Sequence, residues 1–392
     1  MEKRELTPKY DRHLERLLLT VQIDPTVKDK KEEFKRIYGP LLKAIPPYTK
    51  LEIVTSKVEP EEVKTWLKDL NVENRVRFHP TSHDLDIWSQ DYAEALKVSG
   101  ATAYLLPADL QPNPSGGPAS AYDENWNYRS TTTETYHMTM IDALPLKQVN
   151  RARFFFEGGN VSFDKGPNGL RVFIGSNDIW RNIVNFQLKG TPKTVEEIKT
   201  IISEDFGGAE VIIMGDPKEK QHNGIFQIDQ AFLKLDQQRV VMHKPTDPQN
   251  EVERTYVESL LKYKTQLEGL GYQVYEIPAT CGELINGTAR PGVLEVFASI
   301  NAIPYVDKKT KEKCIIFPVF AEDLSVTPDG LNPLNPTELK GKGLAAYNLF
   351  LQLGYKPIPV LDNNGEHQGN THCISNVLAS VEEGTLEDEV SV

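Results

Sequence analysis

Apolar positions follow two periods along this chain. In the first, short β-branched or aromatic runs stand between turn-forming residues: Leu51–Thr55, Thr102–Leu106, Arg171–Ile174, Glu210–Met214, Arg239–Met242, Tyr272–Ile277, Cys314–Val319 and Pro357–Val360. Runs of that length, bounded by Gly, Pro, Asn or Asp, predict strands. In the second, Lys31–Ile45 places Phe34, Ile37, Leu41 and Leu42 near one face, the spacing with which a helix buries a single stripe. Thr194–Ser203, Glu251–Leu267 and Leu344–Leu353 repeat that spacing. Pro60 followed by Glu61 and Glu62 predicts a helix start, with carboxylates at the positive end of the dipole. Strand and helix alternate over the whole length, which predicts an α/β protein whose units share a pattern rather than residues.

Length and charge narrow the picture. The chain has 392 residues, enough for one large α/β domain or for two or three average ones. No stretch reads as a linker: the cluster Pro107–Ser120 predicts a long functional loop, because strand-like sequence resumes beyond it. One domain over residues 1–380 is expected, followed by an acidic, mobile tail at 381–392. With 39% hydrophobic and 26% charged residues the composition is that of a globular protein. The excess of 56 Asp+Glu over 44 Lys+Arg leaves a net charge of −12, the wrong sign for gripping a nucleic-acid backbone and the right one for a cationic ligand. Apolar runs such as Phe154–Phe156 and Val211–Met214 are too short to span a bilayer. No apolar signal region stands in Met1–Tyr10, and Cys281, Cys314 and Cys373 are too few for a disulfide framework or a multi-cysteine zinc site. A reducing, cytoplasmic setting is expected.

Four segments carry potential chemistry: Trp88-Ser89-Gln90-Asp91, Glu157-Gly158-Gly159-Asn160, Gln227-Ile228-Asp229, and His367 to Cys373. Taken singly, each has a plain structural explanation. Glu-Gly-Gly-Asn predicts a turn, Trp-x-x-Asp a core tryptophan beside a capping aspartate, and a lone cysteine a small buried hydrophobe. In this order, from about Leu51 to Leu378, they resemble the guanidine-modifying superfamily, and within it the agmatine deiminase and peptidylarginine deiminase families. The pattern there runs Trp-x-(Arg/Gln)-Asp, Glu-Gly-(Gly)-Asn/Asp, His-x-Asp, and a polar turn ending in His-Cys. The resemblance implies a pentein α/β propeller with five pseudo-symmetric ββαβ units. It also implies a guanidino substrate (agmatine, arginine or a peptidyl arginine), no cofactor and no metal; a homo-oligomer is compatible with it.

The chemistry of a guanidinium accounts for such a set. The group is planar and resonance-stabilised, so its carbon is a reluctant electrophile that must be held flat by matched carboxylates. The resemblance assigns that clamp to Asp91 and Asp229, with Glu157 as a further ligand or orienter and Trp88 and Asn160 in the binding site. Cys373 is the implied nucleophile, attacking as a thiolate to give a covalent amidino-thioether that water then hydrolyses. A general acid must protonate the leaving ammonia and then, as a base, activate water.

Here the chain departs from the pattern. Gln227 stands where the family has its histidine, and Phe226 replaces the small residue before it. An amide exchanges no proton near neutral pH. Three readings follow: an impaired cysteine-dependent deiminase, a non-catalytic guanidinium-binding protein, or an amidinotransferase. His222, five residues upstream, could serve only if the register slips. His372 and His367 lie in the nucleophile turn, but a histidine beside the cysteine in a strand is expected to point to the opposite face. His79, His83, Asp84 and Asp86 match no zinc spacing and predict an ordinary turn. Asp123–Tyr136, with Trp126 and Tyr128, fits either an aromatic lid or a surface loop.

Overall fold

The structure, a computed structural model, describes residues 4–5, 8–23, 26–56, 58–81, 93–98, 101–108, 110, 149–167, 169–217, 225, 227–244, 251–278, 280–283, 294–297, 299–325, 332–362, 372 and 375–378. Trp88, Asp91, Cys373, His83, His222, His367, most of the 107–120 loop, the 123–136 segment and the acidic 381–392 segment lie outside the described residues.

Mixed α/β architecture is observed, and four sheets repeat one connectivity. In each, two strands pair antiparallel and one or two helices then carry the chain to a third strand parallel to the second. The strands are Val161–Gly166, Gly169–Gly175 and Glu210–Met214 in one sheet, and Phe232–Lys234, Arg239–Lys244 and Gln273–Pro278 in the next. A third holds Ile303–Val306, Lys313–Val319 and Lys356–Leu361. The fourth closes the chain on itself: Ser375–Leu378 pairs antiparallel with Arg16–Gln22, which runs parallel to Lys50–Ser56 and, through it, to Val76–Thr81. A further sheet pairs Glu94–Val98 antiparallel with Ala101–Leu106 and the latter parallel with Val149–Arg151.

Local chemistry explains the helices. Lys30–Ala44 starts where the Asp29 carboxylate accepts the Glu32 amide at 3.1 Å, and Val195–Asp205 starts in a capping box between Thr194 and Glu197. Pro60 occupies the first position of Pro60–Leu70, as predicted. Phe34, Ile37, Leu41 and Leu42 bury their stripe against Leu17, Leu19, Leu51 and Ile53, each such side chain contributing about 1.5–3 kcal/mol. Among the described residues no helix is long and apolar enough to cross a membrane.

One predicted feature is corrected. His79 lies in the strand Val76–Thr81 rather than in a turn, buried with its Nε2 2.7 Å from Glu52 on the neighbouring strand. Ser176–Leu188, not singled out from the sequence, is also a helix. It packs Ile179, Ile183 and Phe186 on the core and buries the polar Asn177, Asp178, Arg181, Asn182 and Asn185 beside them.

The repeated connectivity brings the motifs to matching places. Asn160 stands immediately before the first strand of its sheet, and Asp229 and His372 stand three residues before theirs. In sequence Asp91 has the same spacing to Glu94, and Asn301 occupies the corresponding place before Ile303.

Candidate active site

The site is built on two single turns of 3-10 helix, Gly158–Asn160 and Ile228–Gln230. Glu157 and Gln227 each stand in extended backbone just before their turn, and each carbonyl accepts the amide three residues on, from Asn160 at 2.9 Å and Gln230 at 3.1 Å. The turns are stitched together: the Ile228 amide donates to Asn160 Oδ1 at 3.2 Å, and Gln227 Nε2 donates to Glu157 Oε2 at 3.1 Å. The stitching requires glycine. A Cβ on Gly159 would lie 2.2 Å from Gln227 Oε1 and 3.0 Å from Asp229 Oδ2, and one on Gly175 would lie 2.0 Å from Asn160 Oδ1.

Behind the first turn stands the polar face of Ser176–Leu188. Phe154 and Phe156 enter the core, and the backbone between and after them is held by this helix. Asn182 accepts the Phe155 amide at 2.8 Å and donates to its carbonyl at 2.7 Å, while Asp178 Oδ2 accepts the Glu157 amide at 3.0 Å. Arg181 then bridges two carboxylates, with Nη1 3.1 Å from Glu157 Oε1 and 3.0 Å from Asp178 Oδ1. All three side chains are buried. Burial pushes the Asp178 carboxyl up, against the pull of Arg181, and the Glu157 charge adds to the rise.

From the other side, Asp229 Oδ2 lies 2.9 Å from Nδ1 of His372. This corrects the strand placement expected for His372. The residue belongs to a turn ahead of Ser375–Leu378 rather than to the strand, so strand alternation does not set its direction, and its ring meets the Asp229 carboxylate. Asn301 fixes the turn, accepting the His372 amide on its Oδ1 at 3.0 Å. A cavity of about 30 Å³ has Gly159, Asp229 and His372 in its wall and reaches Tyr10 and Lys234.

The structure therefore brings together four of the residues singled out in the sequence: Glu157, Asn160, Gln227 and Asp229. Sequence reasoning missed Arg181, Asp178 and Asn301. Their signal was an excess of buried polar residues at Ser176–Leu188 and a lone Asn before a strand, which hydrophobic periodicity does not register. The Arg181 guanidinium is shared by Glu157 and Asp178, and Asp229 is paired with the His372 imidazole, so three acidic side chains gather around the two turns. Among the described residues no group of three or more His, Cys, Asp or Glu could hold a metal ion.

No family model and no curated protein matches the sequence. Solved structures do match in shape. A substrate-bound agmatine deiminase from C. Jejuni superposes with a TM-score of 0.65 at 16% identity, over 96% of this chain and 97% of that one. A second structure of C. Jejuni agmatine deiminase gives 0.63 at 16% identity, over 97% of each chain. The agmatine deiminase of Enterococcus faecalis gives 0.62 at 14% identity, over 96% of each. At such identities the likeness is one of fold, and over nearly its whole length this chain folds as agmatine deiminases do.

Proposed function

We propose that the protein is a guanidino deiminase: it hydrolyses agmatine, arginine or a peptidyl arginine to the ureido product and ammonia. One observation carries this reading. Glu157, Gln227 and Asp229, distant in sequence, meet around Gly159 beside the turn that leads into Cys373, within a fold shared with agmatine deiminases. Asp229, together with Asp91, holds the guanidinium by charge-assisted hydrogen bonds. Glu157, pinned by Arg181 and by the Gln227 amide, orients it. Cys373 attacks its carbon as a thiolate. In keeping with the repeated strand order, the sheets are arranged as five units around a common axis, with the motif turns at its centre.

The test is ammonia release from the three substrates, with Cys373→Ala as the inactive control. A haloacetamidine should alkylate Cys373 far faster than Cys281 or Cys314, and excess guanidino compound should protect it. Equal labelling of all three thiols overturns the reading. Gln227 favours a second one, a guanidinium-binding protein without turnover. That protein would show ligand protection of Cys373 but release no ammonia.

A further inference from the structure

We infer that His372 is the proton carrier of this reaction and does with an imidazole what Gln227 cannot do with an amide. The inference rests on the deiminase reading above. Of the four described histidines, His13 is bonded to the Val306 carbonyl, His79 to Glu52 and His243 to the Tyr256 hydroxyl. His372 is the one bonded to the carboxylate cluster, through Asp229. Its placement is firm. Its amide donates to Asn301, to Oδ1 at 3.0 Å and to the carbonyl at 3.3 Å, and its own carbonyl accepts the Ser375 amide at 3.1 Å.

An imidazole whose Nδ1 faces a carboxylate keeps the proton on that nitrogen and exchanges at Nε2, the arrangement in which a carboxylate orients a catalytic base. Asp229 Oδ2, which holds the ring, lies with Gln227 Oε1 around the point where a Gly159 Cβ would fall, so the ring is tied to the place where the family histidine would stand. His372 also immediately precedes Cys373 in the chain.

The protons balance over two steps. The Cys373 thiolate bonds to the guanidinium carbon, and the protonated His372 gives its Nε2 proton to one amino nitrogen. The C–N bond breaks, ammonia leaves, and a cationic amidino-thioether and a neutral imidazole remain. Water then adds to the same carbon and loses a proton to His372 Nε2. The C–S bond breaks, the thiolate returns, and the ureido product passes its remaining proton to ammonia.

His372→Asn separates this role from mere positioning, because the Asn amide can still donate to Asp229 from roughly the place of Nδ1. With agmatine as the probe, kcat should fall by about 10²–10⁴-fold with KM little changed, the size of a lost general acid–base. Haloacetamidine should still label Cys373. Adding Gln227→His to that variant should restore kcat by roughly tenfold or more, whereas Gln227→His alone should change it little. A kcat that survives His372→Asn, or a loss confined to KM and not rescued by Gln227→His, overturns the inference and leaves the deiminase reading intact. A wild-type protein that releases no ammonia from any of the three substrates overturns both.

Discussion

The strand Val161–Gly166 has one buried polar cluster within it and another just ahead of it, and the two handle charge differently. Within the strand, Asp164 faces one buried cation. Lys234 Nζ lies 3.0 Å from its Oδ2, the Tyr10 and Tyr272 hydroxyls donate to it, and Lys234 sits 3.3 Å from the centre of the Phe173 ring. One carboxylate is balanced by one ammonium, and beside them Arg171, opposite Asp164 in the ladder, is balanced by Glu210. Just ahead of the strand, Arg181 bridges Glu157 and Asp178, Glu157 also accepts from the Gln227 amide, and Asp229 meets the His372 imidazole. Both clusters border the same small cavity. The difference teaches that buried carboxylates are matched in two ways here, by an ammonium with phenols in one cluster and by a guanidinium, an amide and an imidazole in the other.

The comparison is broken most sharply at Arg181. Arg181→Met should cost about 3–5 kcal/mol of stability in urea unfolding, because it leaves Glu157 and Asp178 buried together without their counter-charge. A cost below about 1 kcal/mol would mean that neither carboxylate depends on it. Added guanidino ligand should recover part of the loss.

The balanced cluster should instead reveal itself through pH. Burial pushes the Lys234 ammonium down to about 7, against the pull of Asp164, while in the unfolded chain it titrates near 10.4. Between these values the unfolded state holds more protons, so this group makes stability rise as pH increases from about 7 to about 10. Lys234→Met should flatten that rise; an unchanged slope would refute the assignment.

Smaller effects sharpen the contrast. Gly159→Ala should cost about 1–3 kcal/mol by overpacking against Gln227 and Asp229, and should weaken guanidino protection of Cys373. Gly269→Ala, where a Cβ meets nothing within 4 Å, should do neither. Thr194→Ala, which removes the cap of a helix bonded to neither cluster, should cost about 1 kcal/mol in unfolding and leave ligand protection untouched.

Much of the fold was legible in the sequence because its strands and most of its helices bury apolar stripes. Glu210–Met214 is a strand with the predicted ends, and the stripe of Phe34, Ile37, Leu41 and Leu42 is buried as its spacing predicts. Val161–Gly166 escaped notice because Ser162, Asp164 and Lys165 interrupt its apolar period, and Asp164 is tolerated in the interior only through partners from three distant segments. Of the candidate site, the short local motifs Glu157–Asn160 and Gln227–Asp229 were legible in the sequence, and the structure brings them together.

By itself, then, the sequence determined the two periods that make strands and helices, the glycines that let two turns touch, and the carboxylates and amides that stand on those turns. Only the tertiary structure decided which charges meet. Arg181 reaches Glu157 because a helix turns its polar face inward, and His372 reaches Asp229 because its turn is tied to Asn301. Periodicity records the hydrophobic effect, which depends on area and is summed along each element. An ion pair depends on distances between elements that the chain brings together only by folding.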